Sequence, residues 1–430
     1  MDCFSTPNLL TVTQALQLLV DAMSPVKEIE SISIADADKR IVAQDVVSPI
    51  NVPQYDNSAM DGYALCFSDG SLQAKEHEIF TICGESRAGK PYLGKPLKAN
   101  NCLRIMTGAV VPDWVDTVII QENTQKIADN KISLLKQVSN GRNIRWLGEE
   151  IRQGQKLFDQ YQPVTPNVVS VLASQGMDKV DAYRKLRIGF FATGDELRMA
   201  GESLASGEIY ESNLSAIAAL LQGLPVECTN LGVIKDSMDD IEQCLKQAAQ
   251  QFDVVISSGG VSVGDYDFVK GCVESMGILE IYKVAIKPGK PLCFGVLGNE
   301  VPNSALFFGL PGNAVSSFVA LTEFFMPAIR FLLGGRSSPQ KLYLMATLDN
   351  GIQKSSGRME FQRGILTSQV SPQGDISWHV STLNQQQSHR VYGLARANCT
   401  VILAEDSGNI EAGNRVRVAP FPWCFNGMVL

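Results

Sequence analysis

Three short stretches of this chain set carboxylates beside glycine-rich or turn-forming backbone, each directly after an apolar run. They are Thr193-Gly194-Asp195-Glu196, Lys235-Asp236, and the segment from Ser257 to Asp267 that reads SSGGVSVGDYD. Glycine-rich turns let backbone N–H groups approach phosphate oxygens. Hard carboxylate oxygens suit Mg2+, which keeps several waters and bridges to substrate phosphate. Together they point to a metal-bound phosphoanhydride. Asp236 also precedes Ser237, with Asp239 three residues on, so helix capping is an equal alternative for that residue.

Lys283, Lys287 and Lys290 lie in a run ending Lys287-Pro288-Gly289-Lys290-Pro291. The prolines restrict the backbone before them and thereby aim the lysines. As compact cations near the same sheet edge, the lysines suit phosphate or an oxyanion, with solvated surface lysines as the bland alternative. A second glycine–lysine cluster is misleading. Residues 84–91, GESRAGKP, have P-loop spacing, but Pro91 stands where Ser or Thr would hold Mg2+ and it disfavours a helical Lys90. An NTPase reading is rejected on that ground. No G-x-G-x-x-G motif is present, so dinucleotide redox chemistry loses support as well.

The elements that must position these groups begin at residue 186. Apolar runs at 186–192, 226–233 and 253–257 alternate with helical patterns at 210–221, 237–251 and 268–276. Runs of this kind, separated by helices, predict a parallel sheet covered on both faces. Ligands of such sheets sit beyond the carboxyl ends of the strands, where the carboxylates and glycines fall. Further strands are predicted near 281–286, 292–296 and 305–309, followed by a long helix over 313–333.

Upstream, a helix over 13–23 with Thr13 as N-cap and an alternating stretch at 29–34 read as a small α+β unit. From 49 to about 142, short β-type runs at 79–83, 103–106 and 115–120 are broken by Gly, Pro and Asn and read as a β-rich, inserted domain. A Pro-bounded helix over 166–175 follows in a stretch, 143–181, that returns to the N-terminal unit. After Gly334-Gly335, strands at 342–347, 374–380, 399–404 and 415–419, with turns at 349–351 and 413–414, predict a small antiparallel barrel or sandwich.

The 430-residue length predicts about three or four domains at roughly 100–200 residues each. A formal charge of −8 argues against broad contact with nucleic acid or anionic lipid, which needs clustered Lys and Arg. The N-terminus has no basic n-region of a signal peptide, and the apolar stretch 318–333 contains Glu323, Pro327 and Arg330, so it reads as a packed helix and not a membrane span. A cytoplasmic protein is expected. Ten cysteines without a C-x-x-C pair read as reduced packing thiols. His77, His379 and His389 are too far apart in sequence to suggest a local metal site.

Further dense stretches are Asp56-Asn57-Ser58-Ala59-Met60-Asp61-Gly62-Tyr63-Ala64, Arg104-Ile105-Met106-Thr107-Gly108-Ala109 and Asn143 to Glu150. By residue type alone the first reads as turn formers. In order along the chain, however, NSAMDGYA, RIMTGA, TGDEL, SSGGVSVG, IKPGKP and LPGN resemble the molybdopterin molybdenumtransferase family, which includes the gephyrin E domain. The resemblance covers nearly the whole chain, and six ordered motifs are far more specific than any one.

The resemblance implies a multidomain α/β and β protein. Its parts would be an N-terminal linking domain (1–48, continued by 143–182), an inserted β-rich domain (49–142), a parallel-sheet α/β pterin-binding domain (183–334) and a C-terminal β barrel (335–430). It implies a homodimer whose active site combines the α/β domain of one subunit with the first two domains of the other.

The implied activity is insertion of molybdenum from molybdate into adenylylated molybdopterin with release of AMP, dependent on Mg2+. Carried over by motif, the catalytic positions are Asp61, Thr107, Glu196, Asp236 and Asp267. Ser258, Gly259, Gly260, Lys283, Lys287, Lys290, Pro311 and Asn313 would hold the substrate, and Glu196, Asp236, Asp267 and Glu150 the metal. A molybdopterin adenylyltransferase and acceptor molybdoenzymes are the implied partners.

Three places depart from the family pattern. The usual G-E-D-I reads Gly148-Glu149-Glu150-Ile151, Trp146 and Leu147 stand in the run before it, and L-P-G-N-P reads Leu310-Pro311-Gly312-Asn313-Ala314. Glu150 is a longer carboxylate, and Ala314 frees backbone that Pro would fix at a helix start. Two rival readings remain: the adenylyltransferase that shares the α/β domain, disfavoured by the extra domains bearing Asp61 and Thr107, and an inactive receptor-anchoring scaffold like gephyrin, disfavoured by the retained carboxylates.

Overall fold

A computed structural model describes residues 9–67, 73–261, 268–298, 304–334 and 343–424. The chain forms two compact units: one holds the residues up to Ser31, Lys39–Ile41 and the chain from Asp181 onward, the other Ile32–Asp38 and Val42–Val180.

The larger unit is built on a six-stranded sheet in the order Val226–Ile234, Leu186–Thr193, Val254–Ser258, Ala305–Leu310, Pro291–Leu297, Gly277–Lys283. The first four strands are parallel and in register, with Ile188 opposite Val254 and Val254 opposite Leu306. The last two are antiparallel, so the sheet is mixed and not wholly parallel as the runs suggested. Chain length decides this. A parallel partner needs a crossover of about a dozen residues or more, whereas these strands follow one another through short links.

Strand Leu186–Thr193 shows why the run is almost continuously apolar. Successive side chains point to opposite faces, and both faces are covered. Phe190 packs with Leu214, Ile217, Phe308 and Phe325 on one side. Phe191 packs with Ile241, Leu245, Val269 and Phe307 on the other. Helix Asn213–Leu221 and the long helix at 314–332 therefore cover the first face, and helices Met238–Gln251 and Phe268–Met276 the second. Helix Val12–Ala22 adds Ala15 and Leu19 to the first face. Its cap is Thr11, not Thr13: the Thr11 hydroxyl accepts from Gln14 N–H, and the Gln14 side chain bonds back to the Thr11 N–H.

The long helix runs through Ala314–Ala320, a wider π turn at Leu321–Phe325, and Met326–Leu332. Pro327 has no N–H for the carbonyl four residues back and its ring crowds that carbonyl. The π turn just before it accommodates both defects. By length and composition this helix could cross a membrane, yet 67% of its most apolar window is buried inside the protein, as in a core helix.

Beyond it lies a closed five-stranded barrel. Strand Met359–Val370 pairs with Ile376–Thr382 on one side and Cys399–Leu403 on the other, and Leu344–Leu348 and Arg415–Pro420 complete the ring. One pairing, Leu344–Leu348 with Ile376–Thr382, is parallel, so the barrel is not purely antiparallel. Met359–Val370, at 12 residues the longest strand, has no counterpart among the strands read from the sequence. It buries Glu360, Gln362 and Arg363, so polar letters stand where apolar ones mark a strand.

The smaller unit carries a six-stranded sheet in the order Thr117–Ile120, Gly62–Leu65, Asn101–Ile105, Ile79–Ser86, Lys131–Leu134, Thr124–Ala128. Short pairs flank it, among them Asn57–Ser58 with Ile144–Arg145. Helix Pro166–Ser174 starts at Thr165, whose hydroxyl accepts from Val168 N–H, with Pro at the first helical position.

Candidate active site

The parallel strands Leu186–Thr193, Val254–Ser258 and Ala305–Leu310 end side by side, and a cavity of about 550 Å³ opens beyond their carboxyl ends. Glu196, Asp236, Ser258, Gly259, Gly260, Pro311 and Asn313 line it. Seven positions read from sequence as functional are thus brought together by three strand ends and the turn after a fourth.

Two glycines make the close approach possible. Gly259 has φ of 92°, and a Cβ there would lie 2.7 Å from the Thr193 carbonyl oxygen. At Gly260, φ is 67° and a Cβ would meet Val269 Cγ2 at 2.4 Å. Only glycine fits this left-handed turn, pressed against strand Leu186–Thr193 at Gly259 and against helix Phe268–Met276 at Gly260. The Gly259 N–H donates to Leu310 O at 3.0 Å and ties the loop to the next strand end.

Asp236 lines the cavity and is not the helix cap. Ser237 is the helix cap, its hydroxyl accepting from Asp240 N–H at 3.2 Å. The Asp236 carboxylate turns the other way and accepts from the Thr193 hydroxyl at 2.9 Å. Asn213 locks a third wall, donating from Nδ2 to Ser258 Oγ and to the Gly312 carbonyl, both at 2.8 Å. Glu196 and Asp236 supply hard oxygens beside a glycine loop, a donor set that suits Mg2+ once phosphate and water oxygens complete it. Among the described residues no three His, Cys, Asp or Glu side chains gather as a metal site.

Other predicted positions fall elsewhere. Lys283, Lys287 and Lys290 are not among the cavity's lining residues. Lys283 Nζ lies 5.0 Å from the Tyr282 ring centroid. Lys287 Nζ pairs with the buried Glu360 carboxylate at 3.1 Å, and Gln362 donates to the other Glu360 oxygen at 2.9 Å. Lys287 is therefore held by the barrel. Asp267 lies outside the described residues.

In the smaller unit, Asp61 and Thr107 form one constellation. Asp61 Oδ1 accepts from the Thr107 N–H at 2.7 Å and the Thr107 hydroxyl at 2.8 Å. These two bonds, with Arg104 nearby, hold the exposed Asp61 carboxyl below the usual carboxylate range. Glu150 is exposed in the same unit, its N–H bonded to Val52 O.

Residues 10–176 match the family described as the MoeA N-terminal region (domain I and II), residues 189–330 a probable molybdopterin binding domain, and residues 345–421 the MoeA C-terminal region (domain IV). The chain is 37% identical over 413 residues to a molybdopterin molybdenumtransferase of Haemophilus influenzae, covering 96% of this chain and 99% of that one. This chain belongs to the MoeA family. A Nostoc molybdopterin molybdenumtransferase is 30% identical, with 94% of this chain and 91% of that one covered. A solved MoeA protein structure from Pyrococcus horikosii superposes with a TM-score of 0.79 at 26% identity, over 96% of this chain and 99% of that chain.

Within this MoeA-family chain the stretch matched as a probable molybdopterin binding domain carries the strand ends and the cavity. Sequence reasoning missed Thr193, Glu211 and Asn213 as cavity residues. Thr193 directly follows the first apolar run, which was the available signal, but its contact with Asp236 across the sheet is not visible in the sequence. Glu211 and Asn213 were absorbed into a helix expected from 210. The helix begins only at Asn213, and the Glu-Ser-Asn run before its first turn was the available signal.

Proposed function

We propose that this chain inserts molybdenum from molybdate into adenylylated molybdopterin and releases AMP, as a Mg2+-dependent transferase of molybdenum cofactor synthesis. The carrying observation is the cavity beyond the strand ends, where Glu196 and Asp236 face a glycine loop that only Gly259 and Gly260 can form. Backbone N–H groups of such a loop suit phosphate oxygens, and Ser258 and Asn313 add polar groups on the same wall. Asp267, by its place in the SSGGVSVGDYD run, is assigned to the same carboxylate set.

Mg2+ held by Glu196 and Asp236 would act as Lewis acid and template at the phosphoanhydride. The protein's own part is to orient the phosphates in the glycine turn and to fix Asp236 through Thr193. Lys283 and Lys290 are assigned to anion binding, whereas Lys287 is engaged by the buried Glu360.

Asp61 and Thr107 belong to the smaller unit and the cavity to the larger. We assign their meeting to a homodimer, in which the preformed, ionised Asp61–Thr107 pair of one subunit completes the partner's site near molybdate. An adenylyltransferase would supply the substrate and molybdoenzymes would accept the product. A reducing cytoplasm suits the nine described cysteines, all free thiols.

The test is incubation of purified protein with adenylylated molybdopterin, Mg2+ and molybdate, following AMP and active cofactor. Molybdate-dependent AMP release with cofactor activity is expected. ATP consumption would point to the adenylyltransferase instead, and absence of AMP release would favour a scaffold.

A further inference from the structure

Arg104 lies beside the Asp61–Thr107 pair and has no part in the chemistry proposed above. It stands on strand Asn101–Ile105, directly opposite Tyr63 on strand Gly62–Leu65. Residues opposite one another in a strand pair point to the same face, so the half-buried guanidinium rests on the Tyr63 ring, 4.9 Å from its centroid. Its two terminal nitrogens then reach in different directions. Nη1 donates to the Gly62 carbonyl at 3.0 Å, and Nη2 crosses to the turn after strand Thr117–Ile120 and donates to Gln121 Oε1 at 2.8 Å.

Gln121 completes a ring of contacts, because its backbone N–H donates to the Asp61 carbonyl at 3.0 Å. The successive carbonyls of Asp61 and Gly62 are thus both held by one side chain, the first through Gln121 and the second directly. The position needs such a clasp. Gly62 is pressed so closely against strand Thr117–Ile120 that a Cβ would lie 1.8 Å from the Ile119 carbonyl oxygen, which leaves room only for glycine, the residue least able to fix its own backbone.

The Asp61 side chain is exposed, and its bonds to the Thr107 N–H and hydroxyl hold only while the two strand ends keep their register, with Gly62 opposite Ile105. An arginine secures this where a lysine could not, since its planar fork offers N–H groups to two acceptors at once while its face lies on a ring. The two Thr107 bonds do most to keep the Asp61 carboxyl below the usual carboxylate range, and the Arg104 charge adds to them.

We propose that Arg104 is a positioning residue for the transfer reaction: it touches neither substrate nor metal, and it acts by holding Asp61 where that carboxylate meets the reacting groups. The inference rests on the reading that puts Asp61 in the site. A residue that only stitched the end of the sheet would matter whether or not Asp61 is present, whereas a positioning residue matters for rate only through Asp61.

The experiment is a double-mutant cycle of Arg104→Met and Asp61→Ala, read as steady-state AMP release with adenylylated molybdopterin, Mg2+ and molybdate, with melting temperature measured for each protein. Methionine keeps an unbranched stem on Tyr63 and removes the fork. Arg104→Met alone should lower kcat roughly ten- to a hundredfold, the scale of bonds made by a charged group. KM for adenylylated molybdopterin should stay within about twofold of wild type, because the cavity residues are untouched. In the Asp61→Ala background the same substitution should change the rate by less than about twofold. Gln121→Ala removes one of the two acceptors at an exposed position and keeps the N–H to Asp61; it should lose about three- to tenfold and be equally silent beside Asp61→Ala.

Losses that add in the double variants would make Arg104 a general support, and a KM that rises with kcat unchanged would make it a substrate contact; either overturns the inference. So does a rate within about twofold of wild type in Arg104→Met, or in Gln121→Ala should Arg104→Met not fold. Those results leave the role of Asp61 standing. Full activity in Asp61→Ala, or no AMP release by the wild type, overturns the reading beneath and this inference with it.

Discussion

Thr193→Val isolates one bond of the site. Thr193 is buried at the end of the Leu186–Thr193 strand, and its hydroxyl donates to Asp236 Oδ1 at 2.9 Å. Valine keeps the branched shape and the strand geometry and removes only the donor. Asp236 is half-buried on the wall of an open cavity, so water can replace the lost donor in the resting protein and the stability cost should stay near 1 kcal/mol. During reaction the carboxylate must hold its place against phosphate charge. Loss of a hydrogen bond to a charged group then costs about 1.5–3 kcal/mol, or roughly ten- to a hundredfold in kcat/KM. Single-turnover AMP release from adenylylated molybdopterin, with melting temperature measured alongside, reads both quantities. Thr193→Ser keeps the donor and should retain most activity. If Thr193→Val releases AMP within about twofold of wild type, less than the cost of one such bond, the bond does not position Asp236 and the reasoning fails.

Asp61→Ala and Glu196→Ala should fold and each lose on the order of a hundredfold or more in rate, because a misplaced group in the site is costly, and mixing the two inactive proteins should restore part of the activity if the site is shared between subunits; no recovery after verified subunit exchange would place both residues in one chain. Lys287→Ala should lower the melting temperature, since it strands the buried Glu360 carboxylate, whereas Lys290→Ala should weaken adenylylated molybdopterin binding about ten- to a hundredfold by calorimetry with little change in melting; Lys27→Ala is the surface control, and equal affinity in Lys290→Ala and wild type would make that lysine a bystander. Asp253 is pushed up by burial, but its bonds to Arg184 and Arg187 outweigh this and lower its pKa overall. Its stabilisation is therefore present above the unfolded value near 3.8 and is lost as pH falls through the lower folded value. Asp253→Asn should cost about 1–2 kcal/mol at neutral pH, discounted because Arg187 is half exposed, with the gap to wild type closing in acid; a gap unchanged below pH 3.8 would refute the ion-pair account. Gly259→Ala should lose about 2 kcal/mol or more, because it combines a left-handed φ with a backbone oxygen 2.7 Å from the new Cβ; a melting temperature equal to wild type would contradict the close approach.

The order of residues along the chain was enough to set the strand ends and the groups just beyond them. An apolar run buried on both faces, such as 186–193, cannot be other than a central strand of a covered sheet, and carboxylates and glycines placed just after it must fall at the carboxyl edge. Glu196, Asp236, Ser258, Gly259 and Gly260 were legible for that reason. Asp61 and Thr107 were reached only through the resemblance carried by their two motifs, and their hydrogen bonds to each other were not legible. Packing across the fold settled the rest. Asp236 could cap a helix or face a cavity with the same neighbours in sequence, and only the position of Thr193 across the sheet separates the two. Lys287 could be solvated, bound to phosphate or paired, and its partner Glu360 lies 73 residues away in a strand whose buried polar residues conceal it from a periodicity reading. Glu211 carries no signal beyond its place before a helix, because lining a cavity is a property of the packed wall around it and not of the local chain.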